Sequence, residues 1–251
     1  MKRIAVSISV FAAITVSICF VNPARALTPS IEIKKDGFHN ESSLSIVASN
    51  GNSRNQTFNI AQKNGYRFEA NTLKTEIAYL RSRSADTESA LNWGAGLRYE
   101  RLVSQHTGAY VGQGVFSDRY AGIDLRYNSD IGVRYILINN DTLNWALETG
   151  YRYMSEHRVT PPDVFESLGR LYTEAGWKFS ETSSTRYWIE YLPNITRPEG
   201  YMINTEISLN TFLTSILSLK VAYLVKFNNA PPPEATTKYD TLVSTALVAN
   251  F

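Results

Sequence analysis

Residues 236–251 read TTKYDTLVSTALVANF. Stepping back by two from Phe251 gives Ala249, Leu247, Thr245, Val243, Thr241 and Tyr239, while most residues between them are small or polar. Side chains on a strand point to opposite faces with period two, so this stretch predicts a strand with two different faces. Its apolar face needs a cover. In a soluble sheet that cover is a second sheet or a helix, and the remaining sequence has to supply it.

The same pattern recurs upstream. Residues 215–227, SILSLKVAYLVKF, put Leu217, Leu219, Val221, Tyr223, Val225 and Phe227 against Ser218, Lys220, Ala222 and Lys226. Residues 120–137, YAGIDLRYNSDIGVRYIL, put Ile123, Leu125, Tyr127, Ile131, Val133 and Tyr135 against Asp124, Arg126, Asn128, Asp130 and Arg134. No stretch of helical period competes, and no continuous apolar strand marks the centre of a buried sheet. About twelve strands are expected, over 41–48, 55–68, 73–82, 90–101, 108–117, 121–137, 142–154, 165–179, 184–192, 201–211, 215–227 and 237–251.

The chain opens with MKR, an apolar run and NPARAL, which is the layout of a secretory signal cleaved after Ala26. The expected organisation is a signal peptide over 1–26, a short periplasmic segment over 27–40 and a barrel over 41–251. The single cysteine, Cys19, lies in the leader, so the mature chain is expected to hold no disulfide and no thiolate metal site. Losing Lys2, Arg3 and Arg25 takes 25 basic residues to 22 against 23 acidic ones, a net charge of −1. Such a balance carries no electrostatic footprint for nucleic acid.

Long connections alternate with short ones. SEHRVTPPD, PNITRPEG and NNAPPPEAT fall at one end, and EAN, INN and SETS at the other. With an even strand count, this predicts an all-β, antiparallel, up-and-down transmembrane barrel in the outer membrane of a Gram-negative bacterium, both termini periplasmic. The alternating faces then assign the solvent: apolar positions to lipid, polar positions to the lumen. The lumen-facing charges are expected to include Arg98, Glu100, Asp124, Arg126, Asp130, Arg134, Glu148, Arg152, Glu166, Arg170, Glu174, Lys178, Arg186, Glu190, Glu206 and Lys220. Unpaired in a soluble core, these ions would cost several kcal/mol each. Two aromatic belts agree with this, Tyr153, Phe165, Tyr191, Tyr201, Phe227 and Tyr239 near one end and Trp145, Trp177, Phe179, Tyr187 and Phe251 near the other.

Residues 228–251 (NNAPPPEATTKYDTLVSTALVANF), 118–137 (DRYAGIDLRYNSDIGVRYIL) and 49–60 (SNGNSRNQTFNI) resemble the YdiY-like, salt-induced outer-membrane protein family catalogued as domain of unknown function 481. The resemblance implies a stress-related outer-membrane barrel and brings no catalytic residues with it. Phe251 resembles the terminal signal read by the barrel assembly machinery. Outer-membrane lipid and lipopolysaccharide are the expected surroundings, with small ions or solutes as candidate cargo.

Three functional classes follow: an envelope protein with a charge-filled narrow or closed lumen, a small-solute porin, and an outer-membrane hydrolase built on Ser155, Glu156, His157 and Asp163. No metalloprotease, nucleophile-elbow or paired-ligand spacing supports the third, so no catalytic, cofactor or metal residues are assigned. A lumen of about twelve strands lies between the filled eight-strand barrel and the wide sixteen-strand channel. Its balanced charges are expected to pair between neighbouring strands and narrow it, whereas a selective filter would carry one sign. Neutralising Arg126 and Arg134 together is expected to raise conductance or destabilise the barrel.

Overall fold

The computed structural model describes residues 36–49, 55–85, 87–233, 235 and 237–250. Twelve antiparallel strands close into one barrel in which each strand pairs with its sequence neighbours and β1 meets β12. They are β1 (Gly37–Ser49), β2 (Asn55–Phe68), β3 (Asn71–Ser84), β4 (Thr87–Leu102), β5 (Thr107–Asp118) and β6 (Ile123–Asn139). The second half comprises β7 (Leu143–Arg158), β8 (Val164–Lys178), β9 (Ser183–Leu192), β10 (Met202–Phe212), β11 (Leu217–Asn228) and β12 (Tyr239–Asn250). β1 starts at Gly37, four residues before the expected barrel boundary at 41, because Gly37 to Asn40 are already paired with Arg67 to Asn64. The expected leader over 1–26 and the terminal Phe251 lie outside the described residues.

Alternation decides the wall. Ile131, Val133, Leu171, Ile207, Val221 and Val243 are exposed on the outside, while Arg98, Glu148, Arg152, Arg170 and Glu190 are buried within. A soluble protein buries the first set and exposes the second, so the outward face is the lipid-facing one. Aromatic rings band both rims. At the end opposite the chain termini, Tyr191, Tyr201, Phe227 and Tyr239 form a continuous row, with centroids 6.2, 5.6 and 4.8 Å apart. At the terminal end Trp177 and Phe179 lie 5.8 Å apart.

Bulges shift this alternation locally. The β6–β7 register slips between Ile123 and Leu125, just after a short 3-10 turn over Arg119–Ala121. Asp118 caps that turn by accepting the Ala121 N–H at 3.1 Å, and Gly122 supplies the left-handed backbone, φ 78°, that ends it. The slip turns Ile123 into the lumen and Asp124 out of it. Asp124, expected inside, is therefore exposed and pairs with Arg119 at 3.1 Å. Unbroken alternation across 121–137 assigned it to the wrong face, because a bulge inserts one residue and inverts parity beyond it.

Candidate functional site in the barrel lumen

The lumen is organised by one row of residues running across five strands. Glu100 on β4 stands opposite Tyr110 on β5, then come Gly132 on β6, Gly150 on β7 and Arg170 on β8. The two glycines leave bare backbone, and the Tyr110 ring lies flat across it. A Cβ at Gly132 would stand 2.5 Å from the Tyr110 Oη, and one at Gly150 would stand 2.7 Å from it. Tyr110 thereby reaches Arg170, three strands away, whose Nη1 donates to the phenol oxygen at 2.8 Å.

Arginines and carboxylates stack on this ring. The Arg98 guanidinium sits 3.7 Å above the Tyr110 centroid, a cation–π contact. From there it donates both Nη atoms to Glu148, at 3.1 and 2.8 Å, across two intervening strands. Glu148 also accepts from Arg170 at 2.6 Å and from Arg134 at 3.4 Å. Arg170 Nε donates to Glu190 at 2.7 Å. Glu190 is shared with Arg152 at 3.3 Å and Asn204 at 3.0 Å, and Arg152 forms a two-pronged pair with Asp130 at 2.6 and 2.8 Å. Glu100 closes the cluster, accepting from Arg98 at 2.6 Å and Lys74 at 3.0 Å. The side chains of Arg170 and Glu148 are both 0% exposed, so water does not separate the pairs. Such buried, multiply hydrogen-bonded ions hold only as a set, since removing one partner strands the others.

Apolar layers bracket the charges. Toward the end opposite the termini, Met154, Leu168, Leu192 and Met202 pack as one buried cluster inside the barrel. Beyond it Arg126 pairs with Glu156, which also accepts from Arg158 at 2.7 Å, and Glu166 binds Arg197 at 2.9 Å. On the terminal side, Tyr172 and Trp188 stack at 6.0 Å and join Leu224 in a second cluster. Below these, Arg186 pairs with Glu174, and Lys220 lies 3.6 Å from Glu206. A vestibule of about 250 Å³ opens at the terminal rim, lined among others by Arg134, Asn144, Glu174, Lys178, Glu181 and Arg186.

Fourteen of the sixteen charges expected in the lumen lie within the ion-paired wall just described. Asp124 faces outward, and Lys178 is exposed at the vestibule rim, where β8 ends. The expected assembly signal, Phe251, lies outside the described residues. The hydrolytic set is dispersed. Glu156 is committed to two arginines inside the barrel, and its neighbour Ser155 points to the opposite face of β7. His157 Nδ1, at the end of β7, and Asp163 Oδ2, in the loop that follows, do meet, at 2.8 Å, on the exposed surface. That contact, with the Arg158 N–H, holds the Asp163 carboxyl below its usual range.

Inward aromatics were not anticipated. Tyr110, Phe116, Tyr172 and Trp188 are all buried in the lumen. Their signal was available as parity, since Tyr110 shares a face with Gly108, Gly112 and Gly114, and only the glycines opposite make room for its ring.

A closed barrel with lipid-facing alternation and an ion-paired lumen accords with the family match, which runs over residues 42–251 to the description "Protein of unknown function, DUF481". The chain belongs to the DUF481 family. No curated protein matches it. Among solved structures, this DUF481 barrel is similar to the COG4313 outer membrane channel from Pseudomonas putida F1, with a TM-score of 0.55 at 10% identity, covering 90% of this chain and 100% of that one. It is also similar to the NanC porin, at a TM-score of 0.48 and 7% identity over 84% of this chain and 97% of that one. For the KdgM porin in complex with disordered oligogalacturonate the values are 0.47, 11%, 85% and 98%. At 10% identity the likeness to the COG4313 channel shows the outer-membrane barrel fold alone.

Proposed function

We propose that this DUF481 barrel is a non-enzymatic protein of the outer membrane whose lumen is closed along its axis by side chains. The observation that carries this reading is the span of Arg98 to Glu148 across the lumen, clamped over Tyr110 and met from the other side by Arg170. Both signs are present in nearly matched numbers, which leaves no single-signed ring to select an ion. The long connections, 159–163, 193–201 and 229–238, face the exterior, and the short ones, 103–106, 140–142, 179–182 and 213–216, face the periplasm together with the termini. Outer-membrane lipid and lipopolysaccharide surround the wall, and the barrel assembly machinery receives the chain through its Phe251 end. The resemblance to salt-induced envelope proteins supports a role under osmotic stress.

Conductance tests this reading. Purified protein in planar bilayers, against a no-protein control, is expected to give small or no steps with weak selectivity. Large, strongly cation- or anion-selective currents would overturn it and establish the small-solute porin instead.

A further inference from the structure

The aromatic rim at the end of the long connections is not continuous. On β9 to β12 it is the row Tyr191, Tyr201, Phe227 and Tyr239, whereas on β3 and β4 the outward positions at that end carry charge. Three outward rungs show the change. The first sets Leu44, Ile60, Tyr79 and Trp93 side by side across β1 to β4. One rung nearer the long connections, Ile46 and Phe58 stand beside Arg81, and on the next Gln56 and Arg83 stand beside Glu88.

These side chains border a groove of about 360 Å³ on the outside of the wall. Ile46, Phe58, Tyr79, Gln56, Arg81 and Arg83 line it, with Val47 and Thr57 from the alternate positions. The Phe58 and Tyr79 rings lie 6.4 Å apart on the bilayer side of the arginines. The β1 flank is uncovered, since β1 pairs with β12 only as far as Leu44↔Leu247, and Ile46 and Val47 beyond it are 67% and 51% exposed.

The charges at the upper end do not cancel. The Arg81 side chain is 42% exposed and meets a single carboxylate, that of Glu88, at 2.8 Å. Glu88 also accepts from the Tyr120 hydroxyl at 3.4 Å, and Arg83, itself exposed, lies opposite Glu88 in the ladder. Two guanidinium groups thus share one carboxylate. An outward arginine is costly at the middle of a bilayer and tolerated at its interface, where its planar fork matches phosphate oxygens.

We propose that this groove binds a phosphorylated lipid of the outer leaflet, the lipid A part of lipopolysaccharide, with a phosphate on Arg81 and Arg83 and an acyl chain along Phe58, Tyr79 and Ile46. The inference rests on the orientation given under the proposed function, which puts the long connections outside and these arginines at the headgroup level of the outer leaflet. It turns lipopolysaccharide from a general surrounding into a ligand of one stretch of wall. The polarity of the groove carries the assignment: cations stand at the rim and rings stand one rung deeper, in the order of phosphate and acyl chain along such a lipid.

The test is native mass spectrometry of the full barrel in detergent. Lipid A is expected to be retained several-fold more than dephosphorylated lipid A or phosphatidylglycerol. Arg81→Gln/Arg83→Gln should lower that retention at least five-fold, with the heat-modifiable band on gels unchanged. Arg101→Gln/Lys178→Gln removes two exposed cations at the opposite rim and should leave retention as it was. Glu88→Gln, which frees Arg81 from its carboxylate, should raise it. Equal retention by the Arg81/Arg83 variant, equal retention of dephosphorylated lipid A or phosphatidylglycerol, or no rise with Glu88→Gln overturns the site. Full displacement of lipid A by millimolar inorganic phosphate would also overturn it, by assigning the arginines to a free anion. Detergent micelles have no sides and none of these readings is a conductance, so the site fails separately from the orientation and from the closed lumen.

Discussion

The wall from β4 to β9 and the wall from β10 through β1 to β3 follow one backbone plan and are filled to different degrees. The first carries Arg98, Tyr110, Arg134, Glu148, Arg152, Arg170 and Glu190, locked in a single hydrogen-bonded cluster. The second mixes small residues, Ser43, Ala61, Ala78, Ala222, Ser244 and Ala246, with separate ion pairs, Lys63 with Glu41 and Glu76 and Lys220 with Glu206, around a cavity of about 60 Å³. Both halves alternate along the strand, so membrane insertion asks the same of each. What differs is whether the inward charges join one packed cluster or stand as separate pairs among small residues. The filled half, from β4 to β9, ties distant strands together through side chains, and the sparse half joins adjacent strands by single ion pairs beside a ladder that is short between β1 and β12.

The sharpest way to break this contrast is to remove one ion at the centre of the filled half. Glu148→Ala leaves Arg98, Arg134 and Arg170 without their shared carboxylate and is expected to cost about 3–5 kcal/mol, read from urea unfolding in vesicles. Ser244→Ala in the sparse half should change stability by less than about 0.5 kcal/mol. Comparable losses at the two sites would show that the halves are not energetically distinct.

Next in size is the lipid face. Val243→Arg places a cation outward near the middle of β12 and is expected to cost about 2–4 kcal/mol. Lys220→Arg, which keeps a cation at a lumen-facing position beside Glu206, should cost clearly less. A reversed order would invert the assignment of faces.

The seat of Tyr110 comes third. Gly132→Ala brings a Cβ to 2.4 Å from the Thr149 carbonyl oxygen and 2.5 Å from the Tyr110 Oη. Overpacking of this kind costs about 1–3 kcal/mol. Gly176→Ala has open space and serves as the control, with an unchanged heat-modifiable band on gels.

The smallest effect lies in the 159–163 loop. Asp163 is held low by the His157 hydrogen bond, so its contribution to loop order is present above the ordinary carboxyl range and is lost as pH falls through the lowered pKa. Asp163→Asn should remove that acid-side change in loop protease sensitivity and leave barrel unfolding where it was.

Strand number, faces and most lumen charges were legible because alternation reports parity, and parity is what a two-faced wall needs. Asp124 was misplaced because the slip between Ile123 and Leu125 depends on the 3-10 turn before it, and its cap and Gly122 do not show as a break in alternation. Pairing between neighbouring strands was also legible, as in Arg152 with Asp130 and Arg186 with Glu174. The Arg98–Glu148 span was not, since it needs Tyr110 to lie over Gly132 and Gly150, which are near each other only once the register is known. The short ladder between β1 and β12 was illegible for a related reason. β1 and β12 alternate along their full lengths, and alternation says nothing about which edge is paired.

The most direct test of the interlocked lumen is a double-mutant cycle between Arg98 and Glu148, residues fifty positions apart in sequence. Unfolding free energies of Arg98→Ala, Glu148→Ala and the double variant are expected to show coupling of about 1–3 kcal/mol, the double variant losing far less than the two singles combined. Additive losses, within about 0.5 kcal/mol, would contradict a lumen closed by these side chains acting as one unit.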